Sequence, residues 1–294
     1  MRINTGIPVA VAVVGLLACG TAAAQVNDSY DGLTDQQRGF AERMVAFMDE
    51  MDALYFGTLA ELNDSDAVES LVFPTEWAWH TVQVARGPVV EKAGRMRVIP
   101  KKPKADFQSQ RVWSRFFSAD VHPRSPKAGM LHAAITMHFD PDGGSAIAGW
   151  IDILPGGTPA ADVAYLKATM DVLYEKYGID PAPHRKMSLK GSPGEGIRRR
   201  EPAGAGGSFY GRTLFPVTEQ NFSFMTEAYR EFMIAYLSLL EQRQDEPYTA
   251  EDLAKQDYIR RNWLEDRFFS DPYTGNVVPY EVWALSTLPP VVKF

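Results

Sequence analysis

From Leu131 to Asp140 the chain alternates between apolar and polar positions. Ala133, Ile135, Met137 and Phe139 form one set, and His132, Ala134, Thr136, His138 and Asp140 form the other. This is the period of a strand with one face on a core. Asp140-Pro141-Asp142-Gly143-Gly144 follows as turn chemistry, because Pro fixes φ and Gly accepts positive φ. A second run, Ser145 to Leu154, carries Ile147, Ile151 and Ile153 at odd positions. Together they predict a β-hairpin whose odd residues share the core face and whose even residues share the other. Such a register sets His132 and Asp152 on one face, directly opposite or one pair offset, with Cβ atoms about 5 to 8 Å apart. Trp150, two residues from Asp152, supplies an apolar wall there.

Elsewhere the pattern changes period. Thr34 and Gln37 form a capping box, after which Phe40, Met44, Phe47, Met48, Met51 and Leu54 recur at helical spacing as a core stripe. The region from about Leu71 to Phe117, with Val82, Val84, Val89 and Val90, reads as strands. Val163, Leu166, Met170, Leu173, Tyr174 and Tyr177 mark a helix that stops at Gly178. Two more helices are expected, from about Thr218 to Arg243 and from about Thr249 to Phe268, and Val282 to Leu288 is a short apolar run before Pro289-Pro290. Strands and helices without βαβ alternation predict an α+β fold, a large antiparallel sheet flanked by helices on both faces.

The N-terminus reads as a processing segment rather than as structure. Arg2 precedes an apolar run, Ile7 to Ala18, and Ala22-Ala23-Ala24 fits a small-residue cleavage site. The run is too short to span a bilayer. Leu16-Leu17-Ala18-Cys19-Gly20 also resembles a lipoprotein signal, in which Cys19 would be acylated. Cleavage after Ala24 is the preferred reading, since the Ala-rich stretch sits at the usual place. Residues 1–24 are thus expected to be a signal peptide and 25–294 a single exported domain, bound for a bacterial periplasm, with a lipid anchor at Cys19 as the alternative.

Cys19 is the only cysteine, so a mature chain cut after Ala24 has neither disulfides nor thiolate chemistry. The formal charge is −7 and becomes −8 without Arg2. An acidic exported chain with no zinc or helix-turn-helix signature is not expected to bind nucleic acid. A metal site on the hairpin histidines is unworkable, because His132 and His138 are about 20 Å apart along a strand at roughly 3.3 Å per residue. Taken alone, His132 and Asp152 read as an ordinary cross-strand polar contact. Ile179 to Pro216 holds seven bases, Arg185, Lys186, Lys190, Arg198, Arg199, Arg200 and Arg212, against three acids. Its many glycines predict a flexible, backbone-exposing loop, either a solvated surface or a clamp for carboxylates or phosphates. Lys92 to Lys104 is a second basic run with the same two readings.

Taken in order, these segments resemble the oxygen-dependent coproporphyrinogen III oxidases. Gly87-Pro88-Val89-Val90-Glu91-Lys92-Ala93-Gly94 is similar to that family's G-x-V-x-E-x-x-G. Val121-His122-Pro123 with Pro126, then His132, is similar to V-H-P-x-x-P and the following H-x-N-x-R strand. Asp152-Ile153-Leu154-Pro155 resembles D-L-T-P, and Gly204-Ala205-Gly206-Gly207-Ser208-Phe209 resembles G-I-G-G-x-F. Tyr236-Leu237 with Glu241 and Arg243, Arg260-Arg261, and Leu285-Ser286-Thr287-Leu288-Pro289-Pro290 complete the series. The resemblance spans Gly87 to Pro290. It implies a homodimer of haem biosynthesis that decarboxylates two propionates of a tetrapyrrole to vinyl groups with molecular oxygen as co-substrate and no metal or organic cofactor. It also implies Asp152 and His132 as catalytic residues, with Asp152 engaging pyrrole N–H groups and His132 orienting it. His122, Trp150, Arg198, Arg199, Arg200, Gly206 and Gly207 are the implied substrate-binding residues.

Thr136 and Ala134 stand where the family strand has Arg and Asn, Ala203 replaces the Arg before G-I-G-G, and Pro279-Tyr280-Glu281 replaces a late G-G-R. Each missing charge-assisted hydrogen bond to a propionate forfeits about 1.5 to 3 kcal/mol. Three functions follow as expectations: an exported oxidase of this type, an inactive or repurposed relative that binds a porphyrin or other poly-acidic ligand, or a different oxidase on the same scaffold.

Overall fold

The computed structural model describes residues 29–106, 108–190, 201–269 and 276–294. Helix α1 (Asp35–Asn63) opens with the expected capping box, in which Gln37 N donates to Thr34 Oγ1 and Gln37 Oε1 accepts from Thr34 N. It buries Phe40, Met44, Phe47, Met48 and Met51. Seven strands follow: β1 (Val68–Pro74), β2 (Ala78–Ala85), β3 (Val90–Pro100), β4 (Trp113–Pro123), β5 (Met130–Phe139), β6 (Ser145–Leu154) and β7 (Gly207–Ser208). Each pairs antiparallel with the next, so the sheet is a seven-stranded meander and the fold is α+β.

Parity along the strands assigns the two faces. On the odd face Leu131, Ala133, Ile135, Met137, Phe139, Ile147, Ile151 and Ile153 pack into one large core with α1, α2 (Ala160–Tyr177) and α4 (Glu219–Arg243). Gly178 ends α2 with φ +66°. The even face is covered as well. Helix α5 (Ala250–Phe269) lays Ile259 and Trp263 on Met130, Trp150 and Leu154. Helix α6 (Tyr280–Ser286), which forms from the short apolar run, lays Val282 and Trp283 on Val82, Val84, Met96 and Val98. Helices therefore flank the sheet on both faces, and β5 and β6 are buried on both sides rather than half exposed.

The described parts of the segment expected to be a flexible loop are ordered elements. Helix α3 (Pro181–Lys190) and the buried stretch Gly204–Phe209 occupy its two ends. Burial of the β6 edge outweighs the glycine content, since Gly206 and Gly207 allow close packing. A Cβ on Gly206 would lie 1.9 Å from Ile151 O. Residues 191–200, with Arg198, Arg199 and Arg200, lie outside the described residues, as does the N-terminal segment with Ala24 and Cys19. Among the described residues no helix is long and apolar enough to cross a membrane.

Candidate functional site

The register of the central strands sets four residues in a row on the even face: Gly94 opposite Asp120, Asp120 opposite His132, and His132 opposite Asp152. The hairpin expectation is met in its tighter form, with His132 and Asp152 directly opposed. Their hydrogen bonds nonetheless run in different directions.

His132 turns toward β4. Its Nδ1 lies 2.7 Å from Asp120 Oδ1, and both residues are buried. The imidazole centroid is 5.0 Å from the ring of Trp150 and 5.0 Å from that of Trp263. Arg267 brings one guanidinium nitrogen to 3.2 Å from Nδ1 and 3.1 Å from Nε2. Near-equal distances to two nitrogens separated by one ring carbon place that nitrogen over the ring face rather than along either in-plane bond direction. The same guanidinium lies 4.1 Å from the Trp263 ring centroid, a cation–π arrangement. A histidine is thus boxed by an acid, two indoles and a guanidinium. Beyond Trp150 the even face carries small buried side chains, Ser118, Ala134 and Ala148.

Asp152 turns the other way, toward β7. Its Oδ1 accepts from Ile153 N at 2.9 Å and Ala205 N at 3.2 Å, and its Oδ2 from Gly204 N and Ser188 Oγ, both at 2.9 Å. Ala203 N donates to Ile153 O before this point, and Phe209 N to Gly149 O after it. The 204–206 segment therefore bulges around the carboxylate, and Gly204 takes φ +68° to make the turn. Burial pushes the Asp152 carboxyl up to about 6 against the pull of these four hydrogen bonds. Gly206 and Gly207 belong to this edge by packing, a Cβ on Gly207 meeting Tyr174 Oη at 2.6 Å.

His122 sits under the C-terminal segment. It is 1 % exposed and its Nε2 lies 2.9 Å from Thr287 O. A carbonyl only accepts, so Nε2 carries the proton. Burial, with Lys92 beside it, pushes the imidazole well below its ordinary range. Lys92, opposite His122, donates to Ala284 O and Leu288 O, and Trp263 Nε1 donates to Thr287 O. Cations and N–H groups thus meet the carbonyls at the end of α6, as the helix dipole favours.

Within the basic segment, Arg185 is committed to Asp171 at 2.7 Å and to Ala205 O at 3.2 Å. Thr136 donates to Arg115 O. Among the described residues no group of three or more His, Cys, Asp or Glu is arranged to hold a metal ion. The sequence reading brought together His132, Trp150 and Asp152 but missed Asp120, Ser188, Trp263 and Arg267. Asp120 had a signal: it is the charged residue of the apolar run Phe116–Val121, at the parity of His122. Arg267 and Trp263 had none, because the docking of α5 on the even face is a tertiary event.

No family model matches the chain.

Proposed function

We propose that this chain is a coproporphyrinogen III oxidase-like protein that takes a propionate-bearing tetrapyrrole against the even face of its sheet and decarboxylates it with molecular oxygen. The observation that carries this reading is the boxed His132. An acid, two indoles and adjoining small side chains, buried together on that face, are the kinds of group that a flat ligand bearing N–H groups would meet there. The antiparallel sheet covered by helices on both faces agrees with the architecture that the resemblance implies. The resembling segments also meet in space. The end of β4, the start of β5, the end of β6, β7 and the α6 terminus all border the row Gly94, Asp120, His132, Asp152.

In the reaction each propionic acid side chain loses its carboxyl group as carbon dioxide, with the carboxyl proton and one hydrogen of the ring-attached methylene, β to the carboxyl, leaving a vinyl group. The two electrons and two hydrogens reduce one oxygen molecule to hydrogen peroxide, so the step balances without a further reductant. Propionates are natural partners for Arg198, Arg199 and Arg200, since guanidinium groups bind carboxylates bidentately.

A second reading, binding without turnover, is favoured by one observation. Asp152, to which the resemblance gives the pyrrole N–H groups, is fully buried and already accepts four hydrogen bonds. Thr136 and Ala203 in place of arginines point the same way.

Aerobic incubation with coproporphyrinogen III tests the first reading. Vinyl products must form faster than autoxidation of the substrate, and equal rates overturn it. Titration with coproporphyrin III tests the second, which requires a shifted absorption band at micromolar protein that Arg199→Ala weakens. Asp152→Asn separates the two, since turnover collapses under the first and binding persists under the second.

A further inference from the structure

The sheet has one long edge with no strand on its outer side among the described residues. At the other end of the strand order β7 is two residues long, whereas β1 runs unbroken from Val68 to Pro74 in register with β2. Glu69 is its only charge, and it carries neither a bulge nor an interior proline, the features that blunt natural edges. Leu71 and Phe73 seat it on the core beneath α6. On the odd face Val68 and Val72 stay open, 36 % and 45 % exposed, with Ser70 exposed between them. Thr75 N donates to Ala78 O, so by the alternation of an antiparallel ladder Phe73, Leu71 and Glu69 turn their backbone groups to β2. Val72, Ser70 and Val68 turn theirs outward.

The flanks of this edge differ in sign. Asp64, Asp66 and Glu69, with Glu61 near the end of α1, stand exposed at its start, with Arg86 across the ladder. Lys101, Lys102 and Lys104 gather at its other end, where Lys101 donates to Thr75 O, Lys102 pairs with Glu76, and Lys104 Nζ lies 4.7 Å from the Trp77 ring centroid. Two antiparallel copies of the strand therefore set each acidic flank beside a basic one. Pairing centred on Ser70 matches every outward backbone group, Val68 with Val72 of the other copy and Ser70 with Ser70, and asks for no N–H from Pro74. Val68 and Val72 then cover each other across the junction, and Glu69 lies opposite Leu71 rather than another Glu69.

We infer that β1 is a homodimer edge, through which two copies of this chain join their sheets as antiparallel β1 strands about a two-fold axis at Ser70. A strand from another protein needs no such match between the two ends of β1. The resemblance implies a pair of chains without assigning it a surface, and the inference owes nothing to the tetrapyrrole reading.

Sedimentation of the whole protein, with two substitutions at the axis, is the test. The wild type sediments as a dimer at micromolar concentration, and on dilution the amides of Val68, Ser70 and Val72 lose protection from hydrogen exchange together. Ser70→Lys and Ser70→Glu each set like charges against each other across the axis, weakening the pair by about a hundredfold or more. Both sediment as monomers with the wild-type circular dichroism, since Ser70 is exposed on an open face. Mixed in equal amounts they form the dimer again, which an unfolded variant cannot do. A monomeric wild type overturns the inference and leaves the edge to solvent or to another protein's strand. A dimer that both variants preserve overturns it in favour of another face, and a mixture that stays monomeric overturns the pairing at Ser70.

Discussion

Asp120 and His132 face each other across β4 and β5 with Oδ1 and Nδ1 2.7 Å apart, so the imidazole is tied to the strand before it and not to Asp152 on the strand after it. The two acids beside one histidine do different work. Asp120 orients a ring. Asp152 organises a chain crossing, gathering the N–H groups of Gly204 and Ala205 and anchoring α3 through Ser188.

That division gives Asp152 a signature in the pH dependence of folding. Its carboxyl stands at about 6 in the folded protein because of burial, against roughly 3.9 in an unfolded chain. The folded state holds the proton more tightly, so stability falls as pH rises through this window, by about 3 kcal/mol in all. Urea midpoints followed from about pH 4 to about pH 6 will show that decline, and Asp152→Asn will flatten it. Ser188→Ala removes a bond that favours the charged form, so the decline will continue to higher pH. An unchanged slope in Asp152→Asn refutes the assignment.

Lys92 carries the opposite dependence. Burial pushes its amine down to about 8, below the ordinary value of roughly 10.4. The folded state sheds this proton first, and the group's contribution to stability rises with pH across that interval. Lys92→Met will abolish the alkaline rise. It will also strip the Ala284 and Leu288 carbonyls of their donor, at a cost of about 1 to 3 kcal/mol. Hydrogen exchange should report this as faster exchange in 280–288, with α1 unchanged.

The hairpin, α1 and α2 were legible because each carries a periodic pattern closed by its own punctuation: Asp140–Gly144, the Thr34 box and Gly178. Parity alone placed His132 and Asp152 on one face, directly opposite or one pair offset. It could not say which neighbour the ring would choose, because a central strand offers two, and the choice depends on the β4–β5 register as much as on the β5–β6 register. The described end of the glycine-rich 179–216 segment, Gly204 to Gly207, misled for a related reason. Its glycines read locally as flexibility, whereas Gly206 answers to Ile151 O and Gly204 to the Asp152 carboxylate, contacts contributed by a strand some fifty residues earlier. The covering of the even face by α5 and α6 was expected only as a class of architecture, and with it Trp263 and Arg267 stayed out of view.

A paired glycine experiment tests whether α6 is seated as described. A Cβ on Gly94 would lie 1.8 Å from Ser286 O, a backbone atom that cannot rotate away. Gly94→Ala must therefore lift the end of α6 off the sheet, breaking the Lys92 and His122 contacts to the 284–288 carbonyls together. A loss of about 3 kcal/mol or more is expected, in the range of severe overpacking. Gly57, by contrast, sits in α1 with nothing within 4 Å of its Cβ position. There alanine only improves the helix, and Gly57→Ala should stabilise by about 0.5 to 1 kcal/mol. Urea midpoints of both variants, with limited proteolysis of the C-terminal segment, settle the matter. If Gly94→Ala matches the wild type in midpoint and in protease resistance, α6 does not rest on β3 at that position.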